Sequence, residues 1–192
     1  MSQTRLTKEE GQLLINIARE NINSYIVGED YSPDMELPEI FNEKLGVFVT
    51  LSYNGKLRGC IGYPEPYMQL IEGVLDVSIA AAFEDPRFNP ISKEEFDLTK
   101  IEISVLTKPE LVEINSYEDY FSLLEIGRDG LIIENSHHRG LLLPQVPLEW
   151  NWDIKDYLEN LCYKAGLHKD AWKEEKTKIY SFQAQIFEEE GG

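Results

Sequence analysis

Cysteine and histidine are scarce in this chain of 192 residues, which holds two of the first and three of the second. Cys60 and Cys162 lie far apart and form no CxxC pair, so neither a disulfide framework nor a structural zinc site is indicated. Basic residues are few as well: 18 Lys and Arg stand against 35 Asp and Glu, for a formal net charge of −17 and a pI near 4.5. Such a balance repels a phosphate backbone, whose affinity for proteins comes from clustered cations, and direct nucleic-acid binding is disfavoured. No window approaches the roughly 18 consecutive apolar residues of a membrane span, and the opening MSQTRLTKEE lacks the apolar stretch of a secretory signal. A cytoplasmic protein with no membrane contact is expected. Walker, GxGxxG, HExxH and GxSxG motifs are missing too, so the large familiar enzyme classes find no support.

What is present is a globular composition, 42% hydrophobic and 28% charged, enough for one domain or two intimate lobes. Thr7 and Glu10 form a capping box before Leu13, Leu14, Ile17, Ala18, Ile22 and Tyr25, whose spacing predicts an amphipathic helix. The β-branched run from Gly46 to Tyr53 meets Asn54-Gly55, the dipeptide of a type I′ turn, and Lys56 to Ile61 returns as a hairpin. A buried helix over Met68 to Phe83 follows, then the turn Glu84-Asp85-Pro86-Arg87, a strand alternating at Ile101, Ile103 and Val105, and a short helix over Tyr117 to Leu124. Leu131 to Ile133 and Arg139 to Leu143 read as a second hairpin around Asn135-Ser136-His137-His138. Asp153 caps a helix through Ala165 that Gly166 stops, with Trp152 stapled against Tyr157. The last strand is expected over 178–187, with 188–192 a frayed tail.

Two stretches share an order of strand, turn, strand opening with Arg-Gly, helix, and strand opening with Lys-Ile. Arg58-Gly59 corresponds to Arg139-Gly140 and Lys100-Ile101 to Lys178-Ile179, at offsets of about eighty residues. An internal ββαβ duplication is therefore expected over about 46–107 and 129–187, within an α+β fold of mixed or antiparallel sheet and flanking helices.

The turn Arg58-Gly59-Cys60-Ile61-Gly62 is the best candidate for chemistry. A two-residue loop puts Leu51 opposite Arg58 and Val49 opposite Cys60, so that Arg58 and Cys60 share a face and the guanidinium can favour a thiolate. Gly59 and Gly62 permit a close backbone approach by a ligand. Two readings stand side by side: a nucleophilic or redox thiol at Cys60, and a small buried residue where the strand packs tightly. The duplicated arm carries Leu141 at the equivalent place, and Cys162 belongs to an apolar helix stripe.

The strings LRGCIGYPEP, AFEDPRFNPIS, GLLLPQVPLEWNWD and LCYKAGL, in this order over nearly the whole chain, resemble the signature blocks of the AMMECR family. The resemblance implies an α+β fold of a larger and a smaller lobe spanning 1–187, a cytosolic setting in microbial members and an unassigned biochemical function. It also implies association with Memo-type or radical-SAM proteins; this chain lacks the cysteine triplet of a radical-SAM cluster, so that chemistry would come in trans.

Asp85 and Arg87 are expected either as a wall of a pocket shared with Arg58 or as a helix-ending turn with internal pairs. Arg139, Gln145 and Glu149 could face the same cleft, Glu149 as its general base. His137 and His138 point to opposite faces of a strand and make a hairpin tip rather than a metal site. The leading reading is an enzyme or small-molecule-binding protein, needing no cofactor, with Cys60 and Arg58 at its centre and Gly59, Gly62, Asp85, Arg87, Arg139 and Glu149 around them. A non-catalytic partner protein docking through Trp150, Trp152 and Tyr63 is the rival, and an RNA-related role a weaker third.

Overall fold

The computed structural model describes residues 5–189. The chain divides into a larger unit, running to Thr107 and taken up again from Gln185, and a smaller one from Lys108 to Ala184. The larger opens with α1 (Lys8–Val27), started by the expected capping box: Thr7 Oγ1 accepts from the Glu10 amide at 3.2 Å and the Glu10 carboxylate from the Thr7 amide at 2.7 Å. Gly28, at φ +78°, closes it. A hairpin of β1 (Gly46–Tyr53) and β2 (Lys56–Tyr63) turns on Asn54 and Gly55, both at positive φ as type I′ geometry requires. Then come α2 (Leu70–Phe83), the one-turn α3 (Lys93–Phe96) and β3 (Thr99–Leu106), which pairs antiparallel with β1. Val47, Val49, Leu51, Ile101, Ile103 and Val105 alternate into a core that also holds Leu14, Ile17, Val74 and Val77.

The smaller unit holds β4 (Glu110–Leu111), α4 (Tyr120–Leu123), the hairpin β5 (Gly130–Asn135) and β6 (His138–Leu142), α5 (Val146–Glu149), α6 (Ile154–Lys164) and β7 (Lys178–Phe182). Asp153 caps α6 by accepting from the Asp156 amide at 2.8 Å. Its core is built on Leu131, Ile133, Tyr157, Leu161, Cys162, Trp172 and Ile179. A final strand, β8 (Ala184–Glu188), returns to the larger unit.

One sheet has the order β2-β1-β3-β8 and the other β4-β7-β5-β6. In each, a hairpin, a helical segment and a third strand pairing antiparallel with the first make the same ββαβ connectivity. In each, too, the strand following the third one joins the other sheet: β4 lies beside β7, and β8 beside β3.

Three expectations are corrected. The strand expected over 178–187 is two strands in two sheets, parted at Gln183. The tail expected from Glu188 is anchored where it is described: β8 includes Glu188, the Glu189 amide donates to Ile101 O at 3.0 Å, and its carboxylate takes both Nε and Nη2 of Arg19 at 2.5 Å. The rest of that tail lies outside the described residues. The hairpin register also slips by one. Tyr53 faces Lys56 and Ser52 faces Leu57, but Leu51 then faces Gly59 and Thr50 faces Cys60, which leaves Arg58 as the extra residue of a bulge.

The bulge brings glycine to where a helix backbone arrives. A Cβ at Gly59 would stand 2.0 Å from the Ala81 carbonyl oxygen of α2, and one at Gly140 2.7 Å from the backbone nitrogen of Ala165 after α6. Since neither helix can retreat without opening its core, Gly59→Ala is expected to destabilise the protein by roughly 1–3 kcal/mol or more, and Gly140→Ala by less. Urea unfolding of both variants checks the order.

Candidate functional site

Strand β2 is a sheet edge, and the turn just past α2 closes that edge at Cys60. The Cys60 amide donates to Asp85 Oδ2 at 2.9 Å, and Arg87 Nη2 donates to the Cys60 carbonyl at 3.2 Å. Arg87 also grips Asp85 through Nε and Nη2, at 2.9 and 2.7 Å, and through its own amide at 3.1 Å. The Arg87 side chain, then the Cys60 and Arg87 amides, outweigh burial and hold the Asp85 carboxyl well below the usual carboxylate range. Asp85 is buried, while Arg87 leaves half of its side chain in solvent.

Arg58 does not turn to the thiol. Its Nε and Nη2 clamp Glu95 at 2.6 and 3.0 Å, Nη2 reaches Asn89 O at 2.9 Å, and the guanidinium carbon lies 5.6 Å from the centre of the Phe88 ring. Arg58 in turn lowers the Glu95 carboxyl. The remaining nitrogen, Nη1, is shut from solvent without an acceptor. The expected pairing of Arg58 with Cys60 on one face is thus replaced by an internal Arg–Glu clamp, because the bulge at Arg58 breaks the alternation that the pairing assumed.

The thiol has other company. Cys60 and Thr50 are directly opposed, and Thr50 Oγ1 donates to Cys60 Sγ at 3.3 Å. Glu102 opposes Thr50 from β3, so Cys60, Thr50 and Glu102 form one row across three strands, about 10 Å from end to end at ordinary strand spacing. Burial, with the charge of Glu188, holds the Glu102 carboxyl above its ordinary value. The corresponding row of the smaller unit is Leu141, Ile132 and Tyr180, counted from the glycine that faces Leu51 in one sheet and Ile133 in the other. The same scaffold therefore carries a thiol, a hydroxyl and a carboxylate in one unit and mostly apolar groups in the other.

The structure brings Arg58, Gly59, Cys60, Asp85 and Arg87 together around β2, with Gly62 under the Phe48 ring. Arg139 and Glu149 belong to the smaller unit, where Arg139 faces Glu134 at 3.5 Å and Glu149 ends α5 in solvent. His138 Nδ1 meets Ala165 O at 3.0 Å and His168 pairs with Glu174. Cys162 is core, its thiol pushed up to about 11 by burial. Thr50, Glu95 and Glu102 join the site without a motif that marks them. Glu102 had a signal, a carboxylate between Ile101 and Ile103 on a strand, but its neighbours follow from the register, which the bulge shifts. Among the described residues no group of three His, Cys, Asp or Glu is placed to hold a metal ion, and no helix is long and apolar enough to cross a membrane.

A family model described as AMMECR1 matches residues 15–187. Protein MJ0810 of Methanocaldococcus jannaschii is 52% identical over 186 residues, covering 96% of this chain and 92% of its own. A protein of Methanothermobacter thermautotrophicus is 49% identical with both chains fully covered. The crystal structure of uncharacterized protein PH0010 from Pyrococcus horikoshii aligns with a TM-score of 0.78 at 45% identity, over 96% of this chain and 94% of that one.

Removing the Asp85 carboxylate leaves the Cys60 amide without its acceptor, and Asp85→Ala is expected to cost about 1–3 kcal/mol at neutral pH. The folded carboxyl titrates below its unfolded value of about 3.9, so its stabilisation is complete above that pH and drains as pH falls through the folded value. Denaturant titrations between pH 7 and the acid limit should show Asp85→Ala losing less stability on acidification than the parent.

Proposed function

The chain belongs to the AMMECR1 family, and from that premise we propose that it is an enzyme or small-molecule-binding protein whose working group is the Cys60 thiol. One observation carries the reading: every other part of the Arg58 to Gly62 turn is engaged in holding the fold. Arg58 clamps Glu95, Gly59 admits Ala81, Gly62 lies against Phe48, Ile61 packs on the core, and the backbone of Cys60 is fastened by Asp85 and Arg87. Half-buried, the thiol accepts from the Thr50 hydroxyl, on a row whose counterpart in the smaller unit is mostly apolar. In this reading Arg87, partly in solvent beside the Cys60 carbonyl, supplies the contact to an anionic ligand that Arg58 does not. Arg139 and Glu149 take no part in it.

At pH 7.5 iodoacetamide, followed by peptide mass mapping, should modify Cys60 and leave the buried Cys162 untouched. Thermal shifts produced by a panel of small metabolites should vanish in Cys60→Ala. A Cys60 that iodoacetamide does not modify, together with shifts that survive the substitution, would remove the thiol from the site.

A second reading has its own observation. Trp150 is 68% exposed and stacks on Trp152 with ring centres 6.3 Å apart, the arrangement of an aromatic anchor for a partner protein. A Memo-type or radical-SAM protein is the partner this reading names. A stoichiometric complex lost on Trp150→Ala would favour it.

A further inference from the structure

The two hairpins treat one position in opposite ways. The closing pair of a two-residue hairpin is hydrogen-bonded, and bonding alternates from there. Around the turn of Ser136 and His137, Asn135 faces His138 and Ile133 faces Gly140, so His138, Gly140 and Leu142 bond to β5 while Arg139 and Leu141 send N–H and C=O to the outer side of β6. No strand follows on that side. Leu141 is the counterpart of Cys60, one residue beyond the glycine that admits a helix backbone. The Cys60 peptide is closed by the Asp85 carboxylate and the Arg87 guanidinium. Leu141 has no such closure: among the described residues neither its amide nor its carbonyl has a hydrogen-bond partner, and it is only partly buried. The chain after α6 explains the difference, since Gly166 and Leu167 offer no polar side chain and the Leu167 amide turns back to Cys162 O at 2.9 Å.

Charge and length say what fits this edge. Of 192 residues 35 are Asp or Glu, yet from Ser136 to Leu148 there is none. Two copies that each carry a charge of −17 repel one another, and a stretch without carboxylates is where they can meet. The edge is also short. Past Leu142 the Leu143 carbonyl takes the Val146 amide at 3.2 Å, and Pro144 has no N–H to offer. Antiparallel pairing centred on Leu141 meets both of its open groups at once, because a residue opposite its own copy donates its N–H to that copy and accepts from it at its C=O. The two Leu141 side chains then stand side by side, and each Arg139 falls opposite Leu143 of the other copy, which keeps the two guanidinium groups at opposite ends.

We propose that β6 is a self-association edge: a second copy of this chain pairs with it antiparallel, Leu141 to Leu141, about a twofold axis. Pairing of this kind uses the same edge on both copies and closes at two. It is independent of the Cys60 reading.

Light scattering behind size exclusion, over a concentration series of the full chain, should give a mass rising from 22.2 kDa toward twice that value. Leu141→Pro removes an outward N–H and no bond to β5, and Leu141→Asp sets a carboxylate against its own copy. Each variant, with the parent's far-UV circular dichroism, should dimerise about tenfold or more weakly. In the parent, hydrogen exchange at the Leu141 amide should slow as concentration rises, while the Gly140 amide, bonded to β5, stays as it is. A monomer at every concentration, a dimer that both folded variants form as readily as the parent, or a Leu141 amide indifferent to concentration would each overturn the proposal.

Discussion

An edge strand carries backbone groups with nothing beside them, and the clasp of Asp85 and Arg87 on Cys60 meets that need in the larger unit. With proline between the two residues, the carboxylate and guanidinium stand where the C=O and N–H of another strand would, in that order. Much of the site depends on this. The clasp fixes the backbone of Cys60, it ties the end of α2 to the sheet that α2 covers, and it draws Arg87 to the thiol's own peptide while leaving Arg58 to Glu95. The sequence blocks around Arg58 and around Asp85 are thus two halves of one fastening.

The comparison between units separates what the scaffold demands from what it leaves open. Both need glycine where the helix backbone comes in against the second hairpin strand, and both place an arginine just before it. Beyond that glycine they diverge: a polar row crosses three strands in one unit and a mostly apolar row in the other. A thiol set in a row of this kind is not required by the architecture, since leucine occupies the same place in its counterpart.

Legibility in the sequence followed the range of the interactions involved. The capping box at Thr7, the Asn54-Gly55 turn, the Asp153 cap and the alternation of Ile101, Ile103 and Val105 are decided within a few residues, and the structure has each of them. The bulge at Arg58 is not local, because it answers to α2 arriving over Gly59, a contact that no local pattern records. Gln183 likewise looked like the middle of one strand; what parts β7 from β8 is the choice of neighbouring strand, made elsewhere in the chain. The arginine and cysteine of the turn were found as residues, but their partners Glu95, Thr50 and Glu102 come from distant segments and needed the fold.

The exchange of outer strands bears on how the protein is made. During synthesis the sheet that starts at Gly46 has three of its strands once Leu106 has emerged, yet the fourth arrives only with Ala184 to Glu188. Until then the outer side of β3 stays unpaired through the making of the whole smaller unit, a bare edge of the kind that invites wrong pairing. The ion pair of Glu189 with Arg19 of the first helix then joins one of the last described residues to one of the earliest elements. Completion of the larger unit is thereby postponed until the whole smaller unit has left the ribosome.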